Sequence, residues 1–331
     1  MRSRAELISI VVPAYNEEAG LSELVRRVSD VMKGAGLRFE IVFVNDGSSD
    51  GTLAEMVRLR RSEDAITVVN LSRNFGKEIA MTAGIEHARG DAMVILDADL
   101  QDPPEIIPEM VATWREGYDT VYAQRASREG ETWFKKLTAR AFYKTVAALG
   151  PAPIPPNVGD FRLISRRVAD ALLMLPEQHR FMKGLYAWVG FPSKAVVFDR
   201  GARYSGSTKW NYWKLWNFAL EGITSFTIAP LKIATYLGLT VALCAFAYGS
   251  YIVIRTLFIG DPVPGFPTVI VTVLFLGGVQ LIVLGLLGEY IGRVFNETKR
   301  RPLYLTESVI WADMEKPRKT PRPSTRKRVR V

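Results

Sequence analysis

The sequence predicts an α/β protein: a Rossmann-like, mostly parallel sheet domain, continued by interfacial amphipathic helices and two transmembrane helices. Three observations carry this expectation. Apolar runs of strand length alternate with stretches of helical periodicity through the N-terminal third. Two later stretches of bilayer length contain no charge. Aromatic and cationic residues mix in two segments ahead of those stretches.

Taken in order, residues 7–12 form a short β-branched run that stops at Pro13 and a polar turn. Leu21, Leu24, Val25, Val28, Val31 and Met32 then recur on one helical face. Residues 39–44 form a second apolar run, closed by Asn, Asp, Gly and Ser over 45–51. A helix over 52–61, a strand over 66–71, a helix over 79–88 and a strand over 92–96 complete the alternation. Parallel neighbours need a crossover, and the intervening helices supply it, so the sheet is expected to be largely parallel. Ligands of such sheets bind beyond the carboxyl ends of the strands.

Residues 132–149 mix Trp133, Phe134, Phe142 and Tyr143 with Lys135, Lys136, Arg140 and Lys144. Residues 208–226 mix Trp210, Tyr212, Trp213, Trp216 and Phe218 with Lys209 and Lys214. Apolar rings beside wet cationic tips suit the headgroup region, although a core helix with a solvated basic face would show the same composition. Residues 233–254 and 266–287 are uncharged, and each meets the roughly 20 residues that a bilayer core demands. Arg255 is the basic residue of the short connection, whereas Lys299, Arg300, Arg301 and the tail crowd the other side. Positive charge stays inside, so both termini and the sheet domain are expected in the cytoplasm, on a multi-pass inner (plasma) membrane protein. The expected division is a cytoplasmic domain over 1–207, a juxtamembrane amphipathic helix over 208–229, two spans with a short periplasmic loop over 230–290, and a basic cytoplasmic tail over 291–331.

The 331 residues carry a net charge of +9, but residues 312–331 hold eight basic and two acidic side chains. Most of the excess is therefore local. A nucleic-acid partner is not supported, and a basic tail beside membrane spans more simply meets anionic lipid headgroups. The single cysteine, Cys244, rules out an internal disulfide, and His87 and His179 are too few for a histidine-rich metal centre. Neither histidine has a partner for a nucleophilic triad, so both read as structural. The polar N-terminus leads straight into a strand, and no signal peptide is expected.

The chemistry concentrates in three motifs. Residues 96–104 (L-D-A-D-L-Q-D-P-P) follow a strand directly. Two carboxylates in D-x-D spacing at a strand end can project together into a cleft, and such hard oxygen ligands suit Mg²⁺ or Mn²⁺ bound with substrate phosphates. Residues 13–18 (P-A-Y-N-E-E) follow the first strand and residues 45–52 (N-D-G-S-S-D-G-T) the second. Asp46 is placed to accept a hydrogen bond from a base or ribose, and Tyr15 to stack on a base. Ser49 or Asp50 reads as a cap for the helix starting near Thr52. No G-x-G-x-x-G follows the first strand and no P-loop is present, which removes the main support for dinucleotide and P-loop readings.

With residues 74–77 (N-F-G-K) and 159–163 (G-D-F-R-L) added, the ordered set of motifs resembles glycosyltransferase family 2. More narrowly, it is similar to the polyprenyl-phosphate glycosyltransferases: dolichol-phosphate mannose synthases and bacterial undecaprenyl-phosphate glucosyl- and aminoarabinosyltransferases. The likeness covers nearly the whole chain except the basic tail. It implies a GT-A fold, a nucleotide-sugar donor, a divalent cation (Mg²⁺ or Mn²⁺), a polyprenyl phosphate acceptor and a homo-oligomer, a tetramer. It assigns Pro13, Tyr15, Glu17, Asp46, Lys77, Asp97 and Ala98 to the nucleotide-sugar, and Asp97, Asp99 and Gln101 to the metal. Asp160, Asp99 and Arg125 become the catalytic set. Arg125, Arg203, Ser207 and Lys209 become the acceptor phosphate site. The motifs sit closest to the glucose-transferring branch, which implies inverting transfer of glucose from UDP-glucose to undecaprenyl phosphate for cell-envelope glycan or lipopolysaccharide modification. Aminoarabinose, mannose and N-acetylhexosamine stay open as the sugar, and Asp160 as orienting group or base.

Elementary chemistry agrees with that layout. A phosphate monoester has a second pKa of about 6, so the acceptor is already anionic and needs cations to align it more than it needs a base. Two other readings compete. A processive polysaccharide synthase would need more spans and a Q-x-x-R-W motif, which residues 178–182 (Q-H-R-F-M) do not match. A non-catalytic nucleotide-sugar sensor would have no need to keep Asp97, Asp99, Gln101 and Asp160.

Overall fold

The computed structural model describes residues 6–125, 158–175, 177–178, 180–198, 229–259 and 265–313. The expected interfacial segments, Arg203, Ser207, Lys209, His179 and the tail beyond residue 313 lie outside them.

The N-terminal part alternates as expected: β1 (Leu7–Ala14), α1 (Leu21–Gly34), β2 (Arg38–Asn45), α2 (Thr52–Ser62), β3 (Ile66–Leu71), α3 (Lys77–His87), β4 (Ala92–Ile95) and α4 (Ile107–Arg115). Then come β5 (Thr120–Arg125), β6 (Val158–Ser165), α5 (Arg166–Met174), α6 (Met182–Trp188) and β7 (Ser193–Phe198). Two long helices, α7 (Ala229–Ile259) and α8 (Phe266–Thr298), precede a last strand, β8 (Thr306–Ile310).

The strands form one sheet in the order β7-β5-β6-β4-β1-β2-β3-β8. β1 pairs in parallel with β2 and β4, β2 with β3, and β5 with β7. β6 is antiparallel to both of its neighbours, and β8 is antiparallel to β3. The chain order reverses direction at β1, which opens a crevice at the carboxyl ends of β1 and β4. Because β6 runs the other way, its first residues stand beside the end of β4, with Arg162 opposite Ile95. That register delivers Asp160 to the same edge as the residues following β4.

Both faces of the sheet are covered, so its central strands are apolar runs and not alternating ones. Ile8, Ile10 and Val12 pack under α1 and α4 with Leu21, Leu24, Val28 and Met110, while Val11 joins Val44, Met81 and Ile85 on the α3 side. α1 shows the expected face, with Leu21, Leu24, Val25, Val28 and Met32 buried. α3 lies so close to the sheet that a Cβ at Gly84 would collide with Val11. Far from the crevice, Glu40 is fully buried and accepts from Ser9 Oγ at 2.6 Å, Arg89 N at 2.6 Å and Arg89 Nε at 2.9 Å. This buried ion pair fixes the turn between α3 and β4.

The region after residue 291 differs from the expected free tail. α8 continues to Thr298, and β8 returns to the sheet edge in register with β3, Val68 opposite Ile310 and Asn70 opposite Ser308. Asn70 Nδ2 donates to Glu307 at 2.9 Å, Tyr304 Oη to Glu86 at 2.6 Å, and Arg60 pairs with Asp313 at 2.9 Å. Trp311 packs on His87 with ring centroids 5.6 Å apart. A five-residue strand with polar and apolar sides mixed, just behind three basic residues, reads as tail until its edge partner is known. Near the same place Gln178 N donates to Glu297 at 2.8 Å and Gln178 Nε2 to the Arg301 carbonyl at 2.6 Å, so α8 is tied to the segment entering α6.

α7 and α8 leave large apolar side chains uncovered, Leu281, Ile282 and Phe258 among them. Among the described residues one stretch, 275–298, has the length and apolarity to cross a membrane, and none of it is buried within the chain. It lies in α8, which starts at Phe266 as the second expected span does and runs on past its expected end at 287.

Candidate active site

The loops leaving the carboxyl ends of the strands are joined to one another by side chains. Asn16 adopts a left-handed backbone (φ 56°), its N donates to Ser48 Oγ at 3.0 Å, and its Oδ1 accepts from Ser49 N at 2.9 Å. Glu17 N donates to Thr52 Oγ1 at 2.9 Å, and Glu18 accepts from Gly51 N at 3.1 Å. These bonds clamp the loop after β1 to the loop after β2. Asp50 accepts from Thr52 N at 3.0 Å, and Gly51 occupies the N-cap position of α2. Neither Ser49 nor Asp50 is therefore the expected N-cap: Asp50 accepts from Thr52 N from one residue further out, and Ser49 serves the loop clamp.

Asp46 joins the second loop to the third. Its two carboxylate oxygens accept from Phe75 N at 2.7 Å and Gly76 N at 3.0 Å. Burial raises its pKa in spite of those bonds and nearby Arg73. The adjoining Gly47 has φ 65° and lies against the backbone of Arg73 and Asn74, where a Cβ has no room. α3 starts at Lys77, two residues ahead of its apolar periodicity, with Gly76 at the N-cap. That early start aims the Lys77 side chain out of the first helical turn toward the crevice.

Lys77 completes the chain of contacts. Its Nζ lies 2.7 Å from Asp97 and 2.6 Å from Asp160. Burial disfavours the ammonium, but the two carboxylates more than offset it and raise its pKa. Asp160 is held below the usual carboxylate range: burial opposes ionisation, and Lys77, Lys183 and Arg162 overcome it. Asp97 moves the other way. Burial raises its pKa, Lys77 pulls it down, and the charges of Asp160 and Asp99 push it up again. Asp97 thus shares Lys77 with Asp160 and has Asp99 beside it, an environment that a further cation would relieve.

A cleft of about 310 Å³ opens here, and Pro13, Tyr15, Glu17, Asp46, Lys77, Asp97 and Ala98 all line it, together with Ala14, Asn74, Gly76, Ala80 and Asp99. The structure therefore brings together every residue expected at the nucleotide-sugar. The Tyr15 ring is exposed and available for stacking. Asp99 accepts from Gln101 N at 3.1 Å across Leu100, whose φ is 58°. That turn buries Leu100 in the core and lifts Asp99 to the cleft. Gln101 is buried, stands outside the cleft lining, and its Nε2 lacks a partner. Arg125 is the last residue of β5, in register with Phe198. Among the described residues no group of three or more His, Cys, Asp and Glu is arranged to hold a metal by itself. Asp97 and Asp99 do fit a divalent ion of the type bound by one or two carboxylates plus substrate phosphates.

Sequence reasoning missed a second layer behind Asp160. Glu78 accepts from Met182 N at 3.0 Å, and its carboxyl is pushed up to about 7 by burial and then by the charge of Asp160. The Arg162 guanidinium lies 3.9 Å from the Tyr186 ring centroid and donates to the Gly159 carbonyl at 2.9 Å. Lys183 Nζ lies 3.8 Å from Asp160 Oδ1. Arg162 belongs to the G-D-F-R-L motif, whereas nothing in the sequence links residues 183 and 186 to it.

The model of the family described as glycosyl transferase family 2 matches residues 9–173, and that of the GtrB C-terminal hairpin matches residues 229–294. An uncharacterized glycosyltransferase of Synechocystis is 55% identical over 92% of this chain and 95% of its own. A bactoprenol glucosyl transferase of Shigella phage SfV is 46% identical over 91% of this chain and 98% of its own. Among solved structures, glucosyl-3-phosphoglycerate synthase of Mycobacterium tuberculosis, in complex with Mn²⁺, UDP-glucose and phosphoglyceric acid, aligns over 66% of this chain and 77% of its own with a TM-score of 0.44 and 22% identity.

Proposed function

The chain belongs to glycosyltransferase family 2 and is a hexosyltransferase of GT-A fold, and from that premise we propose that it moves glucose from UDP-glucose onto undecaprenyl phosphate at the cytoplasmic membrane face. What carries this reading is the 46% identity to a bactoprenol glucosyl transferase along 98% of that protein, hairpin included. The cleft supports it independently, with an exposed aromatic ring and a D-x-D carboxylate pair in one lining.

In this reading Tyr15 stacks on the base, and Asp46 holds the loop bearing Gly76 and Lys77 against the nucleotide. Asp97 and Asp99 hold Mg²⁺ or Mn²⁺, whose chemistry when bound is to neutralise the charge growing on the departing diphosphate. Lys77 adds a cation on the same side. The acceptor phosphate attacks the anomeric carbon in a single displacement, so configuration inverts and no sugar is ever bonded to the protein. Asp160, kept ionised by its cations, orients the sugar hydroxyls. α7 and α8 are read as the two spans, because their uncovered apolar side chains would be costly in water and are satisfied in lipid.

The test is direct. The detergent-purified chain is mixed with undecaprenyl phosphate, a divalent ion and, in separate reactions, UDP-glucose and other nucleotide-sugars. Mass spectrometry and NMR of the lipid product should give β-linked glucosyl phosphate from the α-linked donor. Transfer from a different nucleotide-sugar would replace glucose. An α-linked product would overturn single displacement.

A further inference from the structure

Resting on the polyprenyl phosphate reading, we infer that Lys183 is an acceptor-side residue that binds the phosphate of the lipid.

The first observation is a buried, unpartnered oxygen facing an accessible ammonium across a narrow gap. Asp160 Oδ2 is taken by Lys77 at 2.6 Å, but Asp160 Oδ1 has no hydrogen-bond partner. Lys183 Nζ faces that oxygen at 3.8 Å, too far for a hydrogen bond, and among the described residues no hydrogen bond holds it. The Lys183 side chain is 23% exposed and that of Asp160 13% exposed. The Lys183 ammonium is therefore open to solvent and keeps its three donors available to a ligand. A ligand that places an anionic oxygen on Lys183 and a hydroxyl on Asp160 satisfies both groups. A phosphate in line with a sugar has that chemistry.

The second observation decides which phosphate. The nucleotide cleft is lined by Lys77, Asp97 and Asp99 but not by Lys183. Lys183 stands on the far side of Asp160, on α6. The chain entering α6 is hydrogen-bonded to the end of α8 through Gln178, Glu297 and Arg301. The segment bearing Lys183 is thus fastened directly to the end of the hairpin's second helix, whereas α3 is reached only by residues beyond it. A phosphate arriving on a lipid reaches that side, whereas the donor's diphosphate occupies the other.

The experiment compares Lys183→Met and Lys183→Arg with the unaltered chain, using UDP-glucose and lipid vesicles doped with undecaprenyl phosphate. K183M should raise the KM for undecaprenyl phosphate about 10- to 100-fold, the loss expected for a charge-assisted hydrogen bond. Equilibrium binding of UDP-glucose should change by less than about twofold, within the scatter of uninvolved surface changes. K183R, which keeps the charge, should recover most of the acceptor affinity. If K183M does not fold, K183Q is read by the same two measurements. An unchanged acceptor KM, or a loss of UDP-glucose binding equal to the acceptor defect, overturns the assignment. Failure of the unaltered chain to glucosylate undecaprenyl phosphate would instead remove the functional reading on which it rests.

Discussion

Lys77 and Asp160, 83 positions apart in sequence, meet at 2.6 Å. The contact joins the start of a helix to the start of an antiparallel strand, and it sets the ionisation of the whole site. Lys77→Met should cut kcat/KM by about 100-fold or more, the loss typical of a positioned charge at a developing anion. It should also move the acid limit of folding. Asp160 has a lowered pKa in the folded chain, so its contribution is present above the unfolded carboxylate value and lost as pH falls through the folded one. Without Lys77 the folded value rises, so this contribution should shrink and its loss should be complete at higher pH, which urea melts below about pH 4 would detect.

Asp99→Asn should nearly abolish transfer and leave the thermal midpoint almost unchanged, because Asp99 lines the cleft and its hydrogen bond to Gln101 N can be kept by the amide oxygen. Excess chelator should act similarly on the unaltered chain. Full turnover in chelator would remove the divalent ion from the mechanism.

Glu78→Gln tests the second layer. The Glu78 carboxyl rises from 4.5 to about 7 on folding. The unfolded chain therefore releases this proton first, and stability falls between those two values, on the order of 3 kcal/mol in total. Glutamine has no proton to release, so the pH dependence of stability in that window should flatten. A parallel curve for the variant would show that Glu78 is ionised throughout.

Truncation separates the returning strand from the residues after it. A chain ending at Asp313 should keep its thermal midpoint, since β8 and the Arg60–Asp313 pair survive. A chain ending at Pro302 uncovers the β3 edge, and its midpoint should fall by about 5 °C or more. Equal midpoints would show that β8 adds nothing to the domain.

A reporter inserted at residues 261–264 should be periplasmic and one fused after Val331 cytoplasmic. The opposite result would reverse the membrane reading.

The readable parts of this sequence are those fixed by local pattern. β1 to β4 and their helices follow from period and turn chemistry, and the nucleotide side follows because its residues cluster at or beyond the carboxyl ends of those strands. Gln101 shows what spacing does not report: it matches a metal position, and the structure adds that its side chain is buried with Nε2 unpartnered. Lys183 and β8 were illegible for a different reason. Each gains its meaning from a partner far away in sequence, Asp160 for one and the β3 edge for the other. Hydropathy and spacing do not report pairings of that range.

The antiparallel return of β8 also limits reach. Seven residues, Lys299 to Leu305, separate the end of α8 from β8, and a fully extended chain covers at most about 3.5 Å per residue. The sheet therefore cannot drift more than about 25 Å from the helix end, whatever the freedom of the segment on the other side. In the proposed membrane reading the hairpin therefore tethers the sheet domain within that distance of the bilayer, which suits an acceptor whose single phosphate sits at the bilayer surface.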